Sequence, residues 1–474
     1  MTSTEYDLIV LGGGATGENL ADRAVQGGLS VVIVENELVG GECSYWACMP
    51  SKALLRSAQA LRAAERVPGA AQAVTGTLNV PAVLARRDSF TSNWSDDGQV
   101  KWMNSAGIDL VRGHGRITAA KQVTVTAPDG TTSVLAARHA VAVATGSRAA
   151  IPNIDGLRAA TPWTSREATS TQTVPSSLAI IGGGVVAAEM ATAFAGFGTA
   201  VTVISRSALL GGMEPFAGEL VAKELRKQGV TVLLDTKTTR VTRSAAGVTV
   251  ETGDGQSIIA EEVLVATGRT PHTDDIGLES IGLTPGDWLD TDDTMLVRGF
   301  DWLYAAGDVT HRALLTHQGK YQARAAGDVI AARAKGEPVL DDPWGAHVAT
   351  ADHEAVPQVT FTEPEVASIG MTDAAARDAG YEVRSVDYQI GNVAGASIRE
   401  DRYRGTARMV VDEQRKVVLG VTFVGPDVSE LLQAATIAVV AEVPLDRLWH
   451  AVPAYPTVNE IWLRLLEEYG RPTN

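Results

Sequence analysis

The chain has 474 residues, of which 40 are basic and 56 acidic, so its formal net charge is −16. This acidic balance argues against nucleic acid as a partner, and no apolar run is long enough to span a membrane. The start, MTSTEYDLIVLGGG, lacks the basic segment of a signal peptide, so we expect a cytoplasmic enzyme with no membrane partner.

The first strong pattern is an apolar strand, YDLIVL, that runs directly into glycines. Gly12, Gly14 and Gly17 form a G-x-G-x-x-G fingerprint ahead of a helical stretch, and their small size lets a pyrophosphate approach the helix N-terminus. The next strand, LSVVIVE, ends at Glu35, where a carboxylate can accept hydrogen bonds from a ribose diol. Strand, turn, helix and acid together predict a dinucleotide-binding unit rather than a plain glycine turn.

The only two cysteines, Cys43 and Cys48, lie in the segment GGECSYWACMPSK. Two buried thiols, half of a zinc site, a structural staple or a redox pair would each explain them. Zinc needs four ligands, and with no other cysteine and no histidine pair at ligand spacing we predict no metal site. Cys48-Met-Pro50 is typical of a helix start, where the helix dipole and nearby Lys52 would stabilise a thiolate.

The nucleotide-binding pattern recurs after the strand LAII, as Gly182, Gly184 and Ala187, again ahead of a helix. The position that an acid occupies in the first unit is Ser205 here, and Arg206 follows it. A carboxylate would repel a ribose 2′-phosphate, whereas a hydroxyl and a guanidinium can bind one. The second unit is therefore predicted to prefer NADP(H) over NAD(H), the alternative being a surface arginine unrelated to the cofactor.

Each unit is followed by an apolar strand that ends in Ala-Thr-Gly, at 142–152 and at 263–273. Two such units imply two bound nucleotides, one of which could be a flavin. The Pro- and Gly-bearing stretch at 334–350 is typical of a linker. Beyond it, strand patterns such as VVLGVTFVG alternate with helical ones, which predicts a further α/β domain.

These motifs resemble the class I pyridine nucleotide-disulfide oxidoreductases, the family of dihydrolipoamide dehydrogenase, glutathione reductase and mercuric reductase. The resemblance covers nearly the whole chain and extends to AAGDV at 305–309, VPQVTFTEPEVASIGMT at 356–372 and YPTVNE at 455–460. It implies an α/β fold with two Rossmann-like nucleotide-binding domains and a C-terminal α+β interface domain that forms a homodimer. The implied domains are FAD-binding (1–150 and 273–346), NAD(P)-binding (151–272) and interface (347–474).

The resemblance also implies FAD in the first site and a nicotinamide cofactor in the second. Asp308 of AAGDV matches the acid that binds the sugar-alcohol chain of the flavin, and Gly115 would lie near the adenine. His317 would lie at the flavin edge, with no chemical role assigned. The remaining cofactor-binding candidates are the residues that end the two Ala-Thr-Gly segments: Thr145, Gly146 and Gly268.

The family assigns distinct roles to the two cysteines, which are therefore interpreted as a redox pair. Cys48 would be the charge-transfer thiolate next to the flavin, and Cys43 the exposed interchange thiol. Lys52 would pair with Glu189 beside the flavin ring and shape the potential at its hydride-accepting nitrogen.

The chain departs from the family at its C-terminal motif and between the cysteines. Disulfide-reducing members read His-Pro-Thr-x-x-Glu, whereas this chain reads Tyr455-Pro-Thr-Val-Asn-Glu460. An imidazole has a pKa of about 6.5 and a phenol of about 10, so Tyr455 is predicted to be a poor base for a dithiol. Tyr45 and Trp46 either narrow the approach, stack on a flat acceptor or only fill space. The tail LRLLEEYGRPTN lacks the cysteine pair with which mercuric reductase delivers metal, which predicts against classical mercury reduction.

The sequence therefore predicts an FAD-dependent NAD(P)H oxidoreductase that passes electrons through a Cys43–Cys48 disulfide to a disulfide or another small acceptor. Two alternatives stay open. One is dihydrolipoamide dehydrogenase, against which Tyr455 and the Ser205-Arg206 pair count. The other is a quinone or metal-ion reductase that works mainly from the flavin. A non-catalytic nucleotide-sensing protein would not need the cysteine pair.

Overall fold

The structure is a computed structural model that describes residues 4–471. The chain folds into two compact units, each built from three segments. Unit 1 contains Met1–Pro50, Asp88–Ala149 and Arg269–His353, and unit 2 contains Ser51–Arg87, Ala150–Gly268 and Glu354–Asn474. Within the described residues, no helix is both long enough and apolar enough to cross a membrane. The domain boundaries drawn from the sequence stay a prediction.

The strands of the two parallel sheets are mostly apolar, which suits sheets buried on both faces. In chain order they are β1 (Thr4–Leu11), β2 (Val31–Glu35), β3 (Ile108–Arg112), β4 (His114–Ala119), β5 (Gln122–Thr126), β6 (Thr132–Val143), β7 (Ser147–Ala149), β8 (Ser177–Ile181), β9 (Ala200–Ile204), β10 (Thr231–Leu233), β11 (Thr238–Ser244), β12 (Gly247–Thr252), β13 (Ser257–Ala260), β14 (Glu262–Val265), β15 (Arg269–Pro271), β16 (Leu303–Ala305), β17 (Gln358–Thr360), β18 (Glu365–Gly370), β19 (Val383–Gln389), β20 (Thr406–Asp412) and β21 (Val417–Gly425).

The helices range from single turns to the long helix that ends at Lys335. In chain order they are α1 (Ala15–Gln26), α2 (Gly41–Tyr45), α3 (Cys48–Glu65), α4 (Val80–Phe90), α5 (Asp97–Ala106), α6 (Ser165–Ser170), α7 (Val185–Gly196), α8 (Pro215–Lys227), α9 (Thr316–Lys335), α10 (Ala351–Glu354), α11 (Asp373–Asp378), α12 (Ala394–Arg399), α13 (Leu432–Val440), α14 (Leu445–Leu448) and α15 (Ile461–Tyr469). The helix start predicted at Cys48 is confirmed, with Pro50 in the first turn.

Unit 1 is organised around one sheet with the strand order β3-β2-β1-β6-β5-β4, and β16 also pairs with β6. The pairs joining β3, β2, β1, β6 and β16 are parallel, whereas β4, β5 and β6 form an antiparallel meander. Because apolar side chains cover both faces, β1 alternates between two cores, with Val10 on one side and Ile9 on the other. The parallel strands end at one edge, where α/β proteins bind ligands.

Unit 2 contains three sheets. The parallel sheet β10-β9-β8-β14 repeats the nucleotide-binding arrangement, β11-β12-β13 is antiparallel, and β17-β18-β21-β20-β19 forms the antiparallel sheet of the C-terminal segment. Helix α7 is buried along most of its length, so its sequence, VVAAEMATAFAG, is apolar almost all round. The predicted fold class is confirmed.

Candidate active site

The turn after β1 is shaped by close backbone contacts. Gly12 has φ +101, and a Cβ there would lie 2.5 Å from the carbonyl oxygen of Ala144, so only glycine fits. Helix α1 begins after Gly14, which provides no side-chain cap for the first backbone N–H groups. These donors and the helix dipole favour an anion at this edge, as the pyrophosphate of FAD requires.

Glu35 ends the neighbouring strand β2 and is buried. Its Oε2 accepts a 2.6 Å hydrogen bond from the Gly13 N–H, and its Oε1 accepts one of 2.7 Å from the Glu37 N–H. Burial raises the pKa of this carboxyl, while the two backbone donors oppose that rise. The carboxylate is thus held at the ligand-binding edge, where the residues present fit a dinucleotide with a free ribose diol.

The second fingerprint has the same backbone arrangement with different side chains. Gly184 precedes α7 and again provides no side-chain cap. A Cβ on Gly183 would lie 2.2 Å from the hydroxyl oxygen of Ser205, so this hydroxyl occupies the position that the carboxylate holds in unit 1. Arg206 is exposed, and its guanidinium has no hydrogen-bond or ion-pair partner within residues 4–471. The residues fit a nucleotide that carries a 2′-phosphate.

Asp308 lies in a small polar cluster that the sequence did not predict. The Ser147 hydroxyl donates a 2.5 Å hydrogen bond to Asp308 Oδ2, and Arg269 Nε donates one of 2.5 Å to the Ser147 oxygen. Pairing of β7 with β15 holds Ser147 and Arg269 together. The sequence did contain a signal for Ser147 and Arg269, since each of the two directly follows an Ala-Thr-Gly segment.

The other predicted cofactor residues lie on or directly after strands and helices of the two units. In unit 1, the Thr145 hydroxyl donates a 2.7 Å hydrogen bond to the His272 carbonyl oxygen. The other positions in unit 1 are Gly115 on β4, Gly146 before β7 and the exposed His317 on α9. Those in unit 2 are Gly182 after β8, the buried Ala187 on α7 and Gly268 before Arg269.

Both cysteines belong to unit 1 and are free thiols, Cys43 on α2 and Cys48 at the first residue of α3. A hydrogen bond with Cys48 and burial raise the pKa of the Cys43 thiol. Cys48 Sγ lies 3.3 Å from Oγ1 of Thr316, the first residue of α9. The sequence did not predict this contact between Cys48 and the start of α9.

The aromatic pair between the cysteines has a packing role at Tyr45. This side chain is buried, and its hydroxyl donates a 3.1 Å hydrogen bond to the Val39 carbonyl oxygen. Burial raises the pKa of Tyr45 to about 12. The ring contacts Trp46 edge-on, with centroids 5.6 Å apart. Tyr45 therefore anchors α2, which carries Cys43.

Lys52 and Glu189 form an ion pair in unit 2, with Lys52 Nζ 2.8 Å from Glu189 Oε2. The other carboxylate oxygen accepts a 2.9 Å hydrogen bond from the Phe361 N–H. Glu189 is only 3% exposed, so these two partners offset the cost of burying its charge. The Lys52 ammonium also lies 4.8 Å from the centroid of the Phe361 ring.

The C-terminal motif places Tyr455 in solvent, with 76% of its surface exposed. Glu460 is buried, and its Oε1 accepts a 2.5 Å hydrogen bond from Arg464. Its Oε2 is also buried and has no hydrogen-bond partner within the described part of the chain. A buried acceptor of this kind has unused capacity for one donor.

No group of three or more His, Cys, Asp or Glu side chains is placed to hold a metal ion, as far as residues 4–471 are concerned.

Comparison with protein families gives matches along most of the chain. A family described as pyridine nucleotide-disulphide oxidoreductase matches residues 6–330, and its dimerisation domain matches residues 356–465. A mercuric reductase from Streptomyces lividans is 32% identical over 464 residues, covering 94% of this chain and 93% of the relative. A dihydrolipoyl dehydrogenase from Rhizobium etli is 30% identical over 497 residues, covering 99% of each chain.

Solved structures share the fold. LpdA from Mycobacterium tuberculosis has a TM-score of 0.83 at 24% identity, covering 99% of this chain and all of LpdA. The HOCl-induced flavoprotein disulfide reductase RclA from Escherichia coli has a TM-score of 0.82 at 22% identity, covering 98% of this chain and 99% of RclA.

The buried ion pair gives a stability prediction. Glu189→Gln should lower the free energy of unfolding by about 2–3 kcal/mol, because it leaves the partly buried Lys52 without its counter-charge. Urea unfolding followed by circular dichroism measures this loss. Glu224→Gln, which removes the partner of Lys227 in a more exposed pair, should cost only about 0–1 kcal/mol. Equal losses in the two variants would contradict the assignment.

Proposed function

This chain belongs to the pyridine nucleotide-disulphide oxidoreductase family, and we propose that it carries electrons from NADPH through FAD and the Cys43–Cys48 pair to a small acceptor. The observation that supports this most strongly is the thiol pair itself. A hydrogen bond with Cys48 raises the pKa of Cys43, and Cys48 Sγ lies 3.3 Å from the Thr316 hydroxyl oxygen. A pair of this kind can store two electrons as one thiol and one thiolate.

Residues of unit 1 would hold FAD. The first turn of α1 would bind the pyrophosphate, Glu35 the ribose diol, and Asp308 the sugar-alcohol chain. When bound, the flavin supplies hydride acceptance from the reduced nicotinamide and two-electron transfer to the disulfide. By family resemblance, Lys52 and Glu189 would hold a fixed charge pair near the flavin ring.

The two thiols would then reduce an acceptor disulfide by exchange. Cys43 gives up its proton, and its sulfur bonds to one acceptor sulfur as the acceptor S–S bond breaks and one thiolate leaves. Cys48 next attacks the Cys43 sulfur, which re-forms the internal disulfide and releases the second thiolate. One released thiolate takes up the proton from Cys43 and the other takes one from water, so the acceptor gains two electrons and two protons.

The second nucleotide is proposed to be NADPH. The Ser205 hydroxyl takes the place of an acid that would repel the 2′-phosphate, and the exposed Arg206 guanidinium is free to pair with it.

We further propose a cytoplasmic homodimer. The family dimerisation domain matches residues 356–465, and this segment leaves large apolar side chains exposed, among them Ile398, Ile437 and Val452. Exposed apolar residues of this kind mark protein–protein contacts when they form a continuous patch.

A second candidate concerns the acceptor. With tyrosine at 455, where the family motif has histidine, proton transfer to acceptor thiols lacks the family's base. This favours acceptors that need no such base, such as quinones, dyes or metal ions, which take electrons mainly from the flavin. Dihydrolipoyl dehydrogenase activity is the less favoured possibility.

The redox pair is tested by spectroscopy. Two-electron reduction of the yellow protein should produce a long-wavelength thiolate-to-flavin charge-transfer band. Cys48→Ser should abolish this band, because it removes the donor thiolate, whereas Cys43→Ser should show the band without reductant. A band that survives Cys48→Ser would contradict the assignment.

The nicotinamide preference is tested by kinetics. Arg206→Ala should raise the KM for NADPH by about tenfold or more, because one charge-assisted contact to a phosphate is lost. The KM for NADH should barely change. Arg240→Ala, which removes an exposed arginine on β11, serves as the control and should alter neither value. An unchanged NADPH/NADH ratio in Arg206→Ala would remove the basis for the preference.

The acceptor class is tested at Tyr455. Wild-type turnover of lipoamide or glutathione disulfide should be low, with no bell-shaped pH dependence near 6.5, and quinone reduction should survive Tyr455→Phe. Tyr455→His should raise disulfide turnover, since a positioned base contributes about 10²–10⁴-fold and Glu460 Oε2 can orient the ring. Fast lipoamide turnover that is lost in Tyr455→Phe would show that the phenol supports thiol chemistry.

A further inference from the structure

Helix α9 begins at the cysteine pair. Its first residue, Thr316, lies 3.3 Å from Cys48 Sγ, and Lys320 follows four residues later on the same face. Helical side chains lean toward the N-terminus, so Lys320 lies on the face of α9 that carries Thr316, one turn further along the helix. Lys320 is half-buried.

Helices α1 and α2 complete the cluster within unit 1. A Cβ on Gly41, two residues before Cys43, would lie 2.9 Å from the Gly14 Cα, so the start of α2 lies against the start of α1. Helix α1 also contacts α9, since a Cβ on Gly319 would lie 2.4 Å from Thr16 Oγ1. The three helix starts therefore contact one another in pairs, and α2 and α9 each lie next to the cysteine pair through Cys43 and the Cys48–Thr316 contact.

Glu18 lies on the first turn of α1 and faces the same cluster. Burial raises the pKa of Glu18 to about 7, while the charge of Lys320 lowers it and the neighbouring carboxylate of Glu35 raises it. A hydrogen bond with Thr316 and, to a smaller extent, the charge of Lys320 lower the pKa of Cys43, against the larger upward effects of Cys48 and burial. Glu18 in turn contributes to the raised pKa of Tyr45 on α2. Lys320 is thus the cation whose charge acts on both Glu18 and Cys43.

We propose that Lys320 is a positioning residue that stabilises the thiolate of Cys43 during exchange, and that Glu18 weakens this stabilisation when it is ionised. The proposal rests on the proposed function of the cysteine pair as the exchange site. Position 455 is a tyrosine, so no histidine there can stabilise the negative charge that forms on Cys43. In this proposal the stabilising cation belongs to unit 1. The chemical steps are those of the exchange described above. Cys43 attacks the acceptor disulfide, the acceptor S–S bond breaks, and the protons come from Cys43 and water.

The two residues are expected to act in opposite directions. Lys320→Gln removes the cation and destabilises the Cys43 thiolate. Glu18→Gln makes permanent the neutral side chain that wild-type Glu18 has at low pH, which leaves the Lys320 charge uncompensated and stabilises the thiolate.

The test measures the pH dependence of Cys43 alkylation in the full-length, cofactor-loaded protein carrying Cys48→Ser, so that Cys43 is the single thiol. Iodoacetamide is the probe, and the inflection of the rate with pH reports thiolate formation. Lys320→Gln should raise the pH of the inflection by about one unit, which means roughly tenfold less thiolate at any pH below the inflection. Lys320→Arg keeps the positive charge and should leave the inflection at its original pH. Glu18→Gln should lower it. The rate alone changes less, because a thiolate of higher pKa is more nucleophilic.

Arg324→Gln is the matched control, since this arginine is exposed one turn further along α9. An inflection unchanged by Lys320→Gln, or moved equally by Arg324→Gln, would overturn the proposal, and an upward shift in Glu18→Gln would overturn the role of Glu18. Circular dichroism confirms that each variant is folded. The measurement uses neither nicotinamide nor acceptor, so its failure is distinct from that of the proposed function, which fails if NADPH does not reduce the protein.

Discussion

The hydrogen bond between the Cys43 and Cys48 sulfurs is the interaction on which the account of this protein depends. It raises the pKa of the Cys43 thiol, while Cys48 Sγ lies 3.3 Å from the Thr316 hydroxyl oxygen. The two sulfurs therefore differ in environment, which supports the proposal that Cys43 is the interchange thiol and Cys48 the thiolate donor. Tyr45 anchors α2, which carries Cys43, and the first residues of α3 and α9 place Cys48 beside Thr316.

The two nucleotide-binding turns combine one backbone arrangement with different side chains. In both, a strand ends in glycines that leave the first N–H groups of a helix without a side-chain cap. What differs is the side chain that follows the next strand, the Glu35 carboxylate in one unit and the Ser205 hydroxyl in the other. Under the proposed cofactor assignment, the backbone would bind the pyrophosphate in both units, and this side chain, together with Arg206 in unit 2, would distinguish a ribose diol from a 2′-phosphate.

The sequence predicted those parts of the site that depend on local rules. The fingerprints, the helix start at Cys48 and the apolar strands follow from spacing and backbone requirements within short segments. It did not predict Ser147 beside Asp308, Thr316 beside Cys48, or the Phe361 N–H on Glu189, because each contact joins residues far apart in the chain. Lys320 and Glu18 were missed for the same reason, since each resembles an ordinary charged helix residue until α1 and α9 are seen together.

The most direct test of the central claim is a count of thiols in the denatured protein before and after anaerobic addition of one equivalent of NADPH. The account predicts that no thiol titrates in the oxidised protein and that two titrate after reduction, because the electrons of NADPH come to reside on Cys43 and Cys48. Two thiols in the protein before any reductant is added would contradict the redox disulfide and the mechanism built on it.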